Sequence, residues 1–232
     1  MMLTIADDPK TLACALADRL LLEAHAARSR GRMLRIALSG GSTPACLYEE
    51  LNKRRDLIPW SFLRLYFSDE RAVPPDHPDS NFGLAHRLWL KDVGPDAVVY
   101  RIRGEQGADQ AALDYEETLK NDTDQNGAFD IILLGLGGDG HVASLFPGAT
   151  LESARRVIAV AQTQERGARI SLSFPTLVAA RTRIVLTQGE SKARVLADNL
   201  TKTAQSPFAQ LVRSAPTELW LDRAAATGLC PF

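Results

Sequence analysis

Phe129-Asp130-Ile131-Ile132-Leu133-Leu134 runs straight into Gly135-Leu136-Gly137-Gly138-Asp139-Gly140-His141, and this junction decides the fold class. A short apolar run that stops at glycine reads as a strand buried on both faces. Such strands belong in parallel sheets covered by helices on each side. Residues 34–38 (LRIAL) and 63–67 (LRLYF) have the same character, and further strands are expected at 98–102, 156–160, 169–174, 183–187 and 218–221. Between them lie helical patterns. Leu12, Leu16, Leu20 and Ala24 mark a helix over 9–30, and others are expected over 45–53, up to residue 90, and over 108–121 and 191–199. The alternation predicts an α/β fold with a mostly parallel sheet and helices on both faces. The polar stretch 122–128 is the best linker candidate, but it is too short to separate domains. Residues 1–232 are therefore expected to form a single domain.

Composition removes several function classes. The 232 residues carry 27 Lys and Arg against 28 Asp and Glu, for a formal net charge of -1. A nucleic-acid binder needs a clustered basic excess, and aromatic residues, at 6%, are too sparse for a base-stacking platform. No apolar run approaches the roughly 18 residues of a membrane span, and the start lacks a secretory pattern. Cys14, Cys46 and Cys230 form no C-x-x-C pair, so neither a disulfide scaffold nor a cysteine metal site is expected. The reading is a cytoplasmic globular protein.

In an open parallel sheet, ligands bind beyond the carboxyl ends of the strands. Four segments with unusual chemistry each follow an expected strand: SGGSTP (39–44), SDER (68–71), GLGGDGH (135–141) and TQGESK (187–192). Parallel strands would bring all four to one edge, as one composite site. Gly40, Gly41, Ser42 and Thr43 lead into a helix, with Pro44 at its first position and Thr43 as N-cap. Glycine permits close backbone approach, and a helix N-terminus offers unpaired N–H groups to an anion such as phosphate. An ordinary capped turn would also fit. The Lys-Ser/Thr ending of a Walker P-loop is absent.

Gly135, Gly137 and Gly140 satisfy the dinucleotide spacing G-x-G-x-x-G, yet the acidic residue expected ~20 positions on is replaced by Val160 and Ala161. Asp139 and His141 look instead like an acid–base pair on a glycine-rich turn. Histidine exchanges protons near neutrality, and a neighbouring carboxylate can orient its ring. Asp69 and Arg71 alternate along an extended segment and so face the same way. Glu70, between them, reads as a solvated strand end. Arg71 suits an anionic group or developing negative charge. Lys192 is a candidate phosphate ligand, although a lysine on a helix face is commonly just solvated. Arg169 begins a strand, at the end the sheet rule disfavours. His25 and His86 read as structural, and His77 as a surface residue.

Taken in order, Ser39–Pro44, Ser68–Arg71 with Val73-Pro74, Ser80-Asn81, Gly135–His141 with Ala143–Pro147, Gly189…Lys192-Ala193 and Trp220…Asp222 resemble the 6-phosphogluconolactonases of the glucosamine-6-phosphate isomerase/6-phosphogluconolactonase family. The likeness spans nearly the whole chain. It implies a Rossmann-like domain and cofactor- and metal-free hydrolysis of 6-phosphoglucono-1,5-lactone in the oxidative pentose phosphate pathway. On that reading the turn Gly40–Thr43 and Lys192 take the phosphate, and His141, oriented by Asp139, activates water. Arg71 stabilises the oxyanion, Asp69 and Asn81 order sugar hydroxyls, and Arg169 contacts the anionic substrate. The stretch before Arg169, Gln164-Glu165-Arg166-Gly167-Ala168, departs from the family's Pro-rich approach. The expected partner is a small sugar phosphate, with no nucleic acid or membrane, for a monomer or weak homodimer. Two other readings stand beside it. One is a glucosamine-6-phosphate deaminase of the same fold, whose motif usually continues toward Phe-Asn-Glu-Pro, where this chain has Ser144-Leu145-Phe146-Pro147. The other is a non-catalytic sugar-phosphate sensor.

Overall fold

The computed structural model describes residues 1–122 and 128–229; most of the linker candidate, 123–127, and Cys230 lie outside them. In chain order the strands are β1 (Met2–Ala6), β2 (Leu34–Leu38), β3 (Leu63–Phe67), β4 (Asp69–Arg71), β5 (Val98–Val99), β6 (Ile131–Leu134), β7 (Val157–Val160), β8 (Arg169–Leu172), β9 (Thr182–Thr187) and β10 (Thr217–Asp222). The helices are α1 (Pro9–Ser29), α2 (Ser42–Lys53), α3 (Asn81–Ala85), α4 (Ala108–Asp122), α5 (Phe174–Ala179), α6 (Ser191–Asn199), α7 (Pro207–Ser214) and α8 (Arg223–Ala226).

Seven strands form one sheet in the order β1-β10-β9-β6-β2-β3-β5, and every pairing in it is parallel. The central strands are buried along their length: β6 throughout, and Leu34, Ile36, Ala37 and Leu38 of β2. Helices flank this Rossmann-like sheet. The buried stripe Leu12, Leu16, Leu20, Ala24 and Ala27 lays α1 against it, and α1 also packs on α2. Each methylene removed from water on this stripe is worth about 0.8 kcal/mol.

The strand order reverses between β2 and β6. From β2 the chain proceeds outward to β3 and β5; it then returns to β6 and proceeds the other way. Loops leaving neighbouring strands in opposite directions open a crevice at their carboxyl ends. The Ser39–Thr43 and Gly135–His141 segments are those loops.

Three features differ from expectation. A small antiparallel sheet, β4-β8-β7, stands apart from the parallel one. β1 pairs with β10 at the sheet edge, where its half-exposed MLTIA sequence carries little burial signal. The strand expected at 98–102 shrinks to two residues, and that at 169–174 ends at Leu172, because Ser173 and Pro175 start α5.

Candidate active site

A cavity of about 190 Å³ opens at the reversal point. Gly40 and Gly41 line it from the loop after β2, Ser42 and Thr43 from the start of α2, Asp69 and Arg71 from β4, and Asn81 from α3. Gly135, Leu136, Gly137 and His141 line it from the loop after β6, and Arg169 and Lys192 from β8 and α6. All four loops thus meet in one place, with Asp139 behind His141. A larger groove, about 970 Å³, runs along the β5 edge past Tyr100, Arg101 and Glu117, away from these loops. Among the described residues it holds no histidine bonded to a carboxylate, so the smaller cavity is the candidate active site.

The helix start differs from the expected cap in a useful way. α2 begins at Ser42, and its N-cap is Gly41, not Thr43; Gly41 has φ 94° and no side chain bonds the first turn. Only glycine adopts that φ without strain. The first-turn N–H groups of α2 therefore remain available beside the cavity, where the helix dipole favours an anion. The Tyr48 hydroxyl donates to the Ser39 carbonyl and pins the start of the turn. Gly40 is also required sterically, since a Cβ there would lie 1.7 Å from Asn81 Oδ1. Opposite, Lys192 Nζ donates to the Leu136 carbonyl at 2.7 Å, which holds the ammonium at the cavity wall.

His141 is fixed on several sides. Asp139 Oδ1 lies 2.6 Å from its Nδ1 and also accepts its backbone N–H at 3.1 Å. An ionised carboxylate can only accept, so Nδ1 is the donor in this pair and Nε2 is the ring nitrogen that Asp139 does not engage. Partial burial pushes the Asp139 carboxyl up, but the backbone and ring N–H groups of His141 outweigh it and hold it below its usual range. Gly137 makes room for the ring, because a Cβ there would sit 2.0 Å from Nδ1. The Phe146 ring packs on the imidazole at 4.7 Å between centroids, and Arg166 stacks on Phe146 at 3.6 Å.

Two expectations are corrected here. Glu70 is no solvated strand end: it is 1% exposed. Its carboxylate accepts the backbone N–H groups of Arg71, Asn81 and Phe82 and the Ser80 hydroxyl, at 2.7–3.0 Å. It thereby fixes the start of α3 and, with it, Asn81. Arg169 was disfavoured on the assumption that its strand is parallel to the others. β8 is antiparallel to β4 and pairs Arg169 with Arg71, so the start of one strand meets the end of the other at the cavity. Burial lowers the Arg169 guanidinium from its ordinary value, and the neighbouring Arg71 and Arg166 lower it further against the pull of Asp69.

His86 packs on Phe82 and His77 lies on the surface, both outside the cavity. Among the described residues no group of three or more His, Cys, Asp or Glu side chains is placed to hold a metal ion. No described helix is long and apolar enough to cross a membrane. The sequence gives no signal for Tyr48, and Ser144 and Phe146 stand in the Ala143–Pro147 motif without an assigned role.

Residues 7–220 match the family model described as glucosamine-6-phosphate isomerases/6-phosphogluconolactonase. The chain belongs to this family. A 6-phosphogluconolactonase from Haemophilus influenzae is 37% identical over 198 residues, covering 82% of this chain and 85% of that protein. The solved 6-phosphogluconolactonase from Trypanosoma brucei superposes with a TM-score of 0.85 at 29% identity, covering 99% of this chain and 98% of that one. A monomeric glucosamine-6-phosphate deaminase reaches a TM-score of 0.84 at 18% identity, covering 98% of this chain and 100% of that one, and this likeness is one of fold alone.

Proposed function

We propose that this member of the family is a 6-phosphogluconolactonase, which hydrolyses 6-phospho-D-glucono-1,5-lactone to 6-phospho-D-gluconate. One observation carries the mechanism: a histidine with Nδ1 held by a carboxylate faces the same small cavity as an uncapped helix N-terminus and a tethered lysine. The α2 N-terminus and Lys192 take the phosphate, and this sets the lactone ring toward His141.

Nε2 of His141 removes a proton from water as its oxygen attacks the lactone carbonyl carbon. The carbonyl electron pair moves to oxygen, and Arg71, with Arg169 beside it, stabilises that negative charge. Collapse of the tetrahedral intermediate breaks the bond to the ring oxygen, which receives the proton back from Nε2. Asp139 keeps the ring oriented and offsets its transient positive charge. Asp69 and Asn81 order the sugar hydroxyls. No step requires a cofactor. The same reading makes the chain a cytoplasmic single-domain enzyme, monomeric or weakly dimeric, which gel filtration across a concentration series checks.

Fold does not separate the two activities of the family, since the lactonase and deaminase TM-scores nearly coincide. The relatives above 30% identity do favour one, as the Haemophilus protein illustrates. Lactone hydrolysis, corrected for the spontaneous reaction, should be accelerated by the chain. His141→Ala should lower kcat by ~100- to 10,000-fold, the usual worth of general acid–base catalysis. Release of ammonia from glucosamine 6-phosphate would decide for the deaminase, and tight binding without turnover for a sensor.

A further inference from the structure

Asp69 lines the cavity at 5% exposure and forms no ion pair among the described residues. Two neutral donors hold its carboxylate instead. Asn81 Nδ2 donates to Oδ1 at 3.1 Å, and Ser144 Oγ donates to Oδ2 at 2.6 Å. Asn81 arrives with α3. Ser144 arrives with the histidine.

The path from His141 to Ser144 is short and constrained. The Leu145 N–H donates to the Val142 carbonyl at 3.0 Å, closing a tight turn, and Ala143 inside it takes a left-handed φ of 49°. Non-glycine residues seldom adopt that region unless the surroundings enforce it. One enforcing contact is visible: the Ser144 backbone N–H donates to Ser171 Oγ at 3.2 Å, and that hydroxyl in turn donates to the Leu172 carbonyl at 2.9 Å. Ser144 and Ser171 are 1% and 0% exposed, so water does not compete for these bonds. A buried chain of hydrogen bonds therefore joins β8, the His141 loop, β4 and α3.

We propose that Ser144 is a positioning residue, whose hydroxyl sets the Asp69 carboxylate at a fixed spacing from the His141 ring. The inference rests on the lactonase reading above. Each carboxylate oxygen then spends one lone pair on the protein and keeps another for a substrate hydroxyl. The group that orders the sugar and the group that moves the proton share one rigid link. Since the phosphate cradle is built from other residues, loss of the link should misplace the reacting carbon without weakening capture. Misplacements of this size act on kcat, and even ~1 Å can cost ~100-fold.

The test is a double-mutant cycle with Ser144→Ala, Asp69→Asn and the pair, measured as kcat and KM for lactone hydrolysis with melting curves alongside. Ser144→Ala should lower kcat by about 10- to 100-fold while KM stays nearly constant. In the Asp69→Asn background the same change should lower kcat no further, because a residue acting only through Asp69 is silent once Asp69 is altered. Equal losses in both backgrounds, or an unchanged kcat in Ser144→Ala, would overturn the proposal. If Ser144→Ala does not fold, Ser144→Cys keeps the volume with a weaker donor and should give an intermediate loss that is likewise absent beside Asp69→Asn. A wild-type chain that leaves the lactone at its spontaneous rate overturns the function and this inference together. An active wild type with additive losses overturns this inference alone.

Discussion

Two carboxylates serve the same cavity and are handled in opposite ways. Asp139 sits on the loop after β6 with its side chain 47% exposed, and the N–H groups of His141 hold it below the usual carboxylate range against the upward push of partial burial. Glu70 lies in the middle of β4 at 1% exposure, and burial pushes it up, more than the N–H groups of Phe82, Asn81 and Arg71 pull it down, with Asp69 adding to the rise. Asp139 is bonded to the ring that moves protons in the proposed mechanism. Glu70 is bonded to backbone that must not move. An exposed carboxylate can be traded against solvent with little effect on folding, whereas a buried one with four donors is part of the scaffold.

The contrast can be broken by substitution. Asp139→Asn should lower kcat by ~100-fold or more, because an amide no longer selects the Nδ1-protonated ring, while the melting temperature changes little. A large loss of stability would place Asp139 with the scaffold. Glu70→Ala should do the reverse: it strands buried donors worth ~1–3 kcal/mol each when unsatisfied, so urea unfolding should show a loss of ~2–4 kcal/mol. Molecules that still fold should keep measurable turnover. Retained full stability would remove Glu70 from the scaffold.

Lys192→Met tests the other end of the cavity. A hydrogen bond to a charged group is worth ~1.5–3 kcal/mol, so KM should rise at least ~10-fold with kcat less affected. An unchanged KM would detach Lys192 from the phosphate.

The smallest expected effect concerns pH. A raised folded pKa means that the native state holds the Glu70 proton more tightly than the unfolded chain does. The stability it contributes is then full below the ordinary value of ~4.3 and declines as pH rises through the raised one. The gap in unfolding free energy between wild type and Glu70→Ala should therefore narrow from pH 4 to pH 7. A widening gap would mean that the donors outweigh burial.

Much of the site was legible because it is built from local signals. Gly137 next to Asp139 and His141, and Gly40-Gly41 before a helix, are demands of close approach that only glycine meets, and they stand in the sequence as such. Glu70 and Arg169 were misread for one shared reason. Both belong to the small antiparallel sheet, whose three-residue β4 has no periodicity to detect and whose partner strand lies ~100 residues away along the chain. Ser144 was invisible in the same sense: its bond to Asp69 spans 75 residues.

What the sequence determined by itself was the alternation of apolar strands and helices, and with it the edge where four loops would gather. Apolar runs and glycine turns are properties of neighbouring residues, so they survive without a fold. Which carboxylate faces solvent, which strand runs backward and which serine reaches an aspartate were decided only by the tertiary structure. Burial and hydrogen-bond direction depend on groups distant along the chain, and they exist only once the chain has closed around the cavity.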